Sequence, residues 1–258
     1  MRRGLRGSGL LILAVLLLYG IWSRRHSGSD RDQTATVNPL EEMLRLPASV
    51  SRQEGTAAVI LMDTSGSMNE TVSDVDGQPK PKITIARRAV AGVVRRFHQY
   101  SEANPGRPLL VGVYEFSSRD NQPPCRPVIR LGLPRLEELP SALDKMVPDG
   151  GTPIGDAMIK AKQDLDLTGM SRRHIVVVTD GENNRGYSPG AVADYLARQP
   201  ETDRASLYFV AFDVAADRFK AIRDAGGLVL AAANENDLNQ TLDFILTGKI
   251  LVEQPASR

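Results

Sequence analysis

The feature that most constrains the fold is a rhythm that begins near residue 56. Short unbroken apolar runs alternate with stretches of helical period. Residues 57–62 (Ala-Ala-Val-Ile-Leu-Met) are apolar without interruption, as suits a strand buried on both faces. Residues 82–100 follow with Ile83, Ala86, Val90, Val93, Val94 and Phe97 on one side of a helix and Arg87, Arg88, Arg95 and Arg96 on the other. Those arginines form a solvated face. Further strands are expected at 109–116, 128–131, 175–179, 206–212 and 228–232. Helices are expected at 153–167, buried through Ile154, Ala157, Met158, Ala161 and Leu165, and at 234–246, through Leu238, Leu242 and Ile245. Strands alternating with helices imply a doubly wound, mostly parallel α/β sheet covered on both faces, in one domain of residues 53–250.

Composition narrows the function. The chain has 258 residues, 41% of them apolar, enough for a real core and against disorder throughout. Cys125 is the only cysteine, so neither an internal disulfide nor a cysteine-ligated zinc site is available. The formal charge of +1 hides an asymmetry: residues 1–26 carry five arginines and no acid. Taking those five from the 32 basic side chains leaves 27 against 31 acidic ones, with no basic stripe to hold a nucleic acid.

The basic end flanks an apolar segment. Residues 7–23 are uncharged, between Arg6 and Arg24, and as a helix would span about 25 Å. Tyr19 and Trp22 suit the membrane interface, and Ser23-Arg24-Arg25 offers no small-x-small cleavage site. The expectation is an uncleaved N-terminal signal anchor, a single transmembrane helix over 1–26, with a cleaved signal peptide as the alternative. Arginine placement favours a cytoplasmic amino terminus and an exported body, by a thin margin. Residues 27–52 read as a polar linker. Within it, Asn38-Pro39-Leu40-Glu41 starts a short helix with Leu40, Met43 and Leu44 on one face. Residues 251–258 form a tail.

In a doubly wound sheet, ligands bind outside the carboxyl ends of the strands, where the strand order reverses. Three oxygen-rich segments fall there: Asp63-Thr64-Ser65-Gly66-Ser67, Asp149-Gly150-Gly151-Thr152-Pro153 and Thr179-Asp180-Gly181-Glu182. Asp63, Ser65, Ser67, Thr152 and Asp180 supply two carboxylates and three hydroxyls, hard ligands that select Mg²⁺, Ca²⁺ or Mn²⁺ over zinc or copper. Alternation along an extended loop points residues 63, 65 and 67 the same way. Taken singly, Thr152 before Pro153 also suits a helix N-cap, and Ser65 or Ser67 a turn.

In these segments the chain resembles the von Willebrand factor type A (VWA) domain with its metal-ion-dependent adhesion site. The pattern is Asp-x-Ser-x-Ser after the first strand, then a Thr, then an Asp after the fourth strand. The wording Asp-Thr-Ser-Gly-Ser-Met, Gly-Gly-Thr-Pro-Ile-Gly-Asp-Ala and Thr-Asp-Gly-Glu-Asn is similar to bacterial members. The resemblance spans about residues 55–248. It implies a Rossmann-like VWA fold, a divalent cation (Mg²⁺ first) held by Asp63, Ser65, Ser67, Thr152 and Asp180, and no catalysis. It also implies a partner protein whose acidic side chain completes the coordination. With the anchor, this places the protein in a bacterial inner membrane, its domain in the periplasm or outside, joining or assembling an envelope complex.

Two other readings stay open. A Mg²⁺-dependent haloacid-dehalogenase-like phosphatase also places an Asp after its first strand, but needs a second Asp where this chain has Ser65. A purely structural VWA domain would leave the metal site unused. Two features stand outside the pattern. Residues 69–81 form a polar insertion, read as a solvated loop, and Glu115 interrupts an apolar strand at a rim or an exposed edge.

Overall fold

A computed structural model describes residues 38–45 and 50–253. The expected membrane segment and the linker up to residue 37 therefore lie outside the described residues. Among those described, no helix is long and apolar enough to cross a membrane.

The main sheet has six strands: β1 (Gln53–Asp63), β4 (Leu109–Phe116), β5 (Cys125–Gly132), β6 (Met170–Thr179), β7 (Ser206–Phe212) and β8 (Leu228–Ala232). Their spatial order is β5-β4-β1-β6-β7-β8. All neighbours pair in parallel except β4 and β5, which are antiparallel. The expected α/β architecture is therefore present. Strand β1 lies at the centre, with β4 on one side and β6 on the other, so the order reverses beside its carboxyl end. Strands 109–116, 206–212 and 228–232 begin and end where their apolar runs do. Strands β1, β5 and β6 extend past theirs because ladder hydrogen bonds continue into polar residues, which periodicity does not register.

Period-two alternation splits the core into two layers. Ala58, Ile60 and Met62 of β1 face α2 (Lys82–Ala103) and α7 (Glu235–Ile245). Ala57, Val59 and Leu61 face α4 (Ile154–Leu167) and α5 (Pro189–Arg198). Every apolar residue expected on the buried side of α2 is buried. The short α1 (Pro39–Met43) adds Leu40, and the turn after it adds Leu44, to the second layer, so this segment docks on the domain.

Some elements went unanticipated. Helix α5 has a clear start, with Ser188 accepting a hydrogen bond from the Ala191 amide ahead of Pro189, but only Val192, Ala193 and Leu196 mark its buried face. The short α3 (Leu139–Asp144) and α6 (Lys220–Asp224) fall below the length at which periodicity speaks. The insertion is not a plain solvated loop. Strands β2 (Thr71–Ser73) and β3 (Pro79–Pro81) form a hairpin there. Its turn is closed by Asp74, which accepts from the amides of Asp76 and Gln78. Glu115 lies against the sheet edge, where it accepts from Arg126 Nε at 2.9 Å.

Candidate metal centre

The carboxyl ends of β1 and β6 adjoin; Asp63 is the last residue of β1 and Asp180 the first after β6. Asp63 closes β1 and is fully buried. Its Oδ1 accepts from the Ser65 amide at 2.7 Å and its Oδ2 from the Thr179 hydroxyl at 2.6 Å. The chain then turns tightly, and the Gly66 amide donates to the Gly150 carbonyl at 3.0 Å. This brings Ser65 Oγ to 3.2 Å from Ser67 Oγ, and Ser67 Oγ donates to Asp180 Oδ1 at 2.7 Å. Four of the five expected residues are thus linked by hydrogen bonds, Asp63 through the Ser65 amide and the others through their side-chain oxygens.

Thr152 arrives on the third loop. Gly150, at φ +78°, makes the turn, and the Asp149 amide donates to the Thr64 carbonyl at 2.8 Å. Asn184 clamps Thr152 from both sides: its Oδ1 accepts from the Thr152 amide at 2.8 Å, and its own amide donates to the Thr152 carbonyl at 3.1 Å. The N-cap of α4 is Pro153, so the Thr152 hydroxyl does not serve as the cap. It faces Gly181 instead. A Cβ at Gly181 would stand 3.8 Å from Thr152 Oγ1 and 4.0 Å from Ser67 Oγ, so both hydroxyls border the same space.

Among the described residues, no cation pairs with Asp63. Burial pushes the Asp63 carboxyl up to about 7, against the hydrogen bonds from Thr179 and Ser65 that favour its ionised form. A carboxylate removed from water needs a positive partner, and a bound divalent ion is often the largest local charge in such a site. Among the described residues, no group of three or more His, Cys, Asp or Glu could hold a metal ion. Any ion here must therefore rest on two carboxylates and neutral hydroxyls, a donor set that suits hard cations.

Sequence reasoning missed the neighbours. Lys82, the first residue of α2, is 3% exposed. Its Nζ lies 3.1 Å from Asp180 Oδ2, 3.0 Å from Asp213 Oδ2 and 2.8 Å from Glu70 Oε2. Burial works against the ammonium, but the carboxylates of Glu70, Asp213 and Asp180 outweigh it and hold its pKa above the usual lysine value. Thr179, Asn184 and Glu70 were likewise overlooked as site residues. Their roles come from hydrogen bonds made across long sequence separations, for which no local pattern exists.

The chain matches the von Willebrand factor type A domain over residues 58–243 and belongs to that family. No curated protein matches it. Among solved structures, the PilB minor pilin from Streptococcus sanguinis is 14% identical, with a TM-score of 0.55 over 78% of this chain and 62% of the pilin. The chain thus spans less than two thirds of that relative. The conserved hypothetical protein BatB from Bacteroides thetaiotaomicron is 16% identical, with a TM-score of 0.53 over 73% of this chain and 97% of that one. The pilus adhesin SpaC from Lactobacillus rhamnosus GG is 15% identical, with a TM-score of 0.56 over 80% of this chain and 31% of the adhesin. At such identities the likeness is one of fold.

Proposed function

We propose that this VWA domain takes up one divalent cation, Mg²⁺ first and Ca²⁺ or Mn²⁺ in its place, on Asp63, Ser65, Ser67, Thr152 and Asp180. The ion then presents a coordination position to an acidic side chain of a partner protein. The observation that carries this reading is the convergence of two buried aspartates, from the ends of adjacent strands, on a linked pair of serine hydroxyls. Two carboxylates balance a divalent charge and no more, so the ion stays electrophilic toward a third. The domain acts by binding rather than by catalysis. Position 65, where the phosphatase chemistry needs a carboxylic acid, holds a serine whose Oγ is 3.2 Å from Ser67 Oγ. In our reading residues 7–23 anchor the chain in a bacterial inner membrane. The exported domain joins or assembles an envelope complex, a role in keeping with a fold shared with a minor pilin and a pilus adhesin.

The test is a thermal melt of the full chain in detergent, with Mg²⁺ and then with EDTA. We expect Mg²⁺ to raise Tm in the wild type and not in Asp63→Ala. An unchanged Tm in the wild type sinks the metal reading. Crosslinking in membranes, wild type against Asp180→Ala, then addresses the partner; capture of the same proteins by both would show that binding does not run through the ion.

A second reading keeps the fold and leaves the site unused. Lys82 favours it, because a lysine ammonium already compensates Asp180. The same melt separates the two.

A further inference from the structure

Lys82 stands where the general rules of helices would not place it. It opens a helix of 22 residues, at the end where backbone amides make the field positive, and the first turn contains no acid to offset it. It is nonetheless buried, and the three N–H donors of its ammonium match three carboxylates from three different elements. Asp180 follows β6, Asp213 follows β7, and Glu70 precedes the hairpin. Its own amide also donates to the Glu70 carbonyl at 2.8 Å, which fixes where the helix begins. Local preference is overridden here by a constellation of charges, as happens where a residue serves a site rather than the fold.

We propose that the Lys82 ammonium is a resident cation of the centre, sharing Asp180 with the divalent ion and setting the affinity at which that ion is taken up. This rests on the metal reading above. Asp180 offers one oxygen to Ser67 and the other to Lys82, so the carboxylate that would hold the ion is already partly neutralised. A fixed positive charge on the same carboxylate repels an arriving divalent ion. Asp213 and Glu70 moderate that repulsion by drawing the ammonium toward themselves.

The sign of this effect separates it from a scaffolding role. If Lys82 only held Asp180 in position, removing it would loosen a ligand and weaken binding. If it is a competing charge, removing it strengthens binding.

Calorimetric titration of the full chain with Mg²⁺ distinguishes these, using wild type, Lys82→Met and Asp213→Asn. Methionine keeps the length and flexibility of the lysine stem without the charge. We expect Lys82→Met to bind Mg²⁺ about tenfold more tightly or better. Asp213→Asn, which leaves the ammonium less compensated, should bind several-fold more weakly. Equal or weaker binding by a folded Lys82→Met overturns the inference and leaves the metal reading intact. Should that variant fail to fold, unchanged affinity in Asp213→Asn overturns it instead. Binding by Lys82→Met alone supports the inference, and the wild-type metal reading then falls. No binding by any of the three removes both.

Discussion

Ser67 Oγ donates to Asp180 Oδ1 at 2.7 Å, a contact that joins the loop after β1 to the loop after β6 across 113 positions of sequence. The same hydroxyl lies 3.2 Å from Ser65 Oγ, so Ser67 is the hinge pin between two halves of the centre. Ser67→Ala should cost about 1.5–3 kcal/mol of stability in EDTA, the net worth of a hydrogen bond to a charged group. It should also abolish most of the Mg²⁺-dependent rise in Tm. Paired melts of wild type and variant check both; a full Mg²⁺ response in the variant would count against Ser67 as a ligand.

Gly150 controls the approach of Thr152. Its φ of +78° disfavours any other residue, and a Cβ there would lie 1.9 Å from the Ser118 carbonyl oxygen. Gly150→Ala should destabilise the domain by about 1–3 kcal/mol, the range for a backbone forced from its native geometry. Because the Gly150 carbonyl also receives the Gly66 amide, the loops carrying Thr152 and Ser65 should shift together. Urea denaturation measures the first effect and Mg²⁺ titration the second.

His174 supplies a pH signature away from the centre. Burial pushes its pKa down to about 3, helped by the nearby Arg172 charge. The ring stacks on Tyr208, and Nε2 lies 3.3 Å from Glu253 Oε2. That carboxylate would normally favour the imidazolium, but burial raises the Glu253 pKa too, so the pair tends toward its neutral forms. A folded-state pKa below the unfolded value of about 6.5 gives stability that is present above pH 6.5 and lost as pH falls toward 3. Between pH 6.5 and 4 the loss amounts to about 3 kcal/mol. His174→Gln should show a shallower decline than wild type over that window in chemical denaturation, and parallel declines would refute the assignment.

Cys125 should be inert while the domain is folded. It is 5% exposed, and burial pushes its thiol up to about 12, so almost no thiolate exists at neutral pH. Iodoacetamide should label it far more slowly in buffer than in urea. Equal rates would mean that β5 opens readily at the edge of the sheet.

Much of the fold was legible because apolar runs and helical stripes write burial directly into sequence. The buried stripe of α2, from Ile83 to Phe97, and the strand at 206–212 are cases where one local signal settles the structure. The 71–81 hairpin was not legible, since its strands are three residues each and largely exposed, and polar loops and polar hairpins share a composition. At the centre, the spaced Asp63, Ser65 and Ser67 marked the position, and Asp180 followed from the end of the buried strand at 175–179. Lys82 gave nothing away. A lysine at a helix start is unfavoured but carries no motif of its own, and only the meeting of Glu70, Asp180 and Asp213 around it shows that it is buried and shared.

The central position of β1 has a mechanical consequence. It is hydrogen-bonded to β4 and β6 and sandwiched between two apolar layers, so it belongs to the part of the domain that opens last. Asp63 inherits that rigidity. Thr152 and Lys82 instead stand on a glycine turn and at a helix start, each tied by one backbone hydrogen bond, to Asn184 and to Glu70, and by side-chain contacts. The centre therefore has one wall set by the middle of the sheet and one set by loop and helix-start contacts, and a substitution that tunes its grip without unfolding the domain belongs on the second.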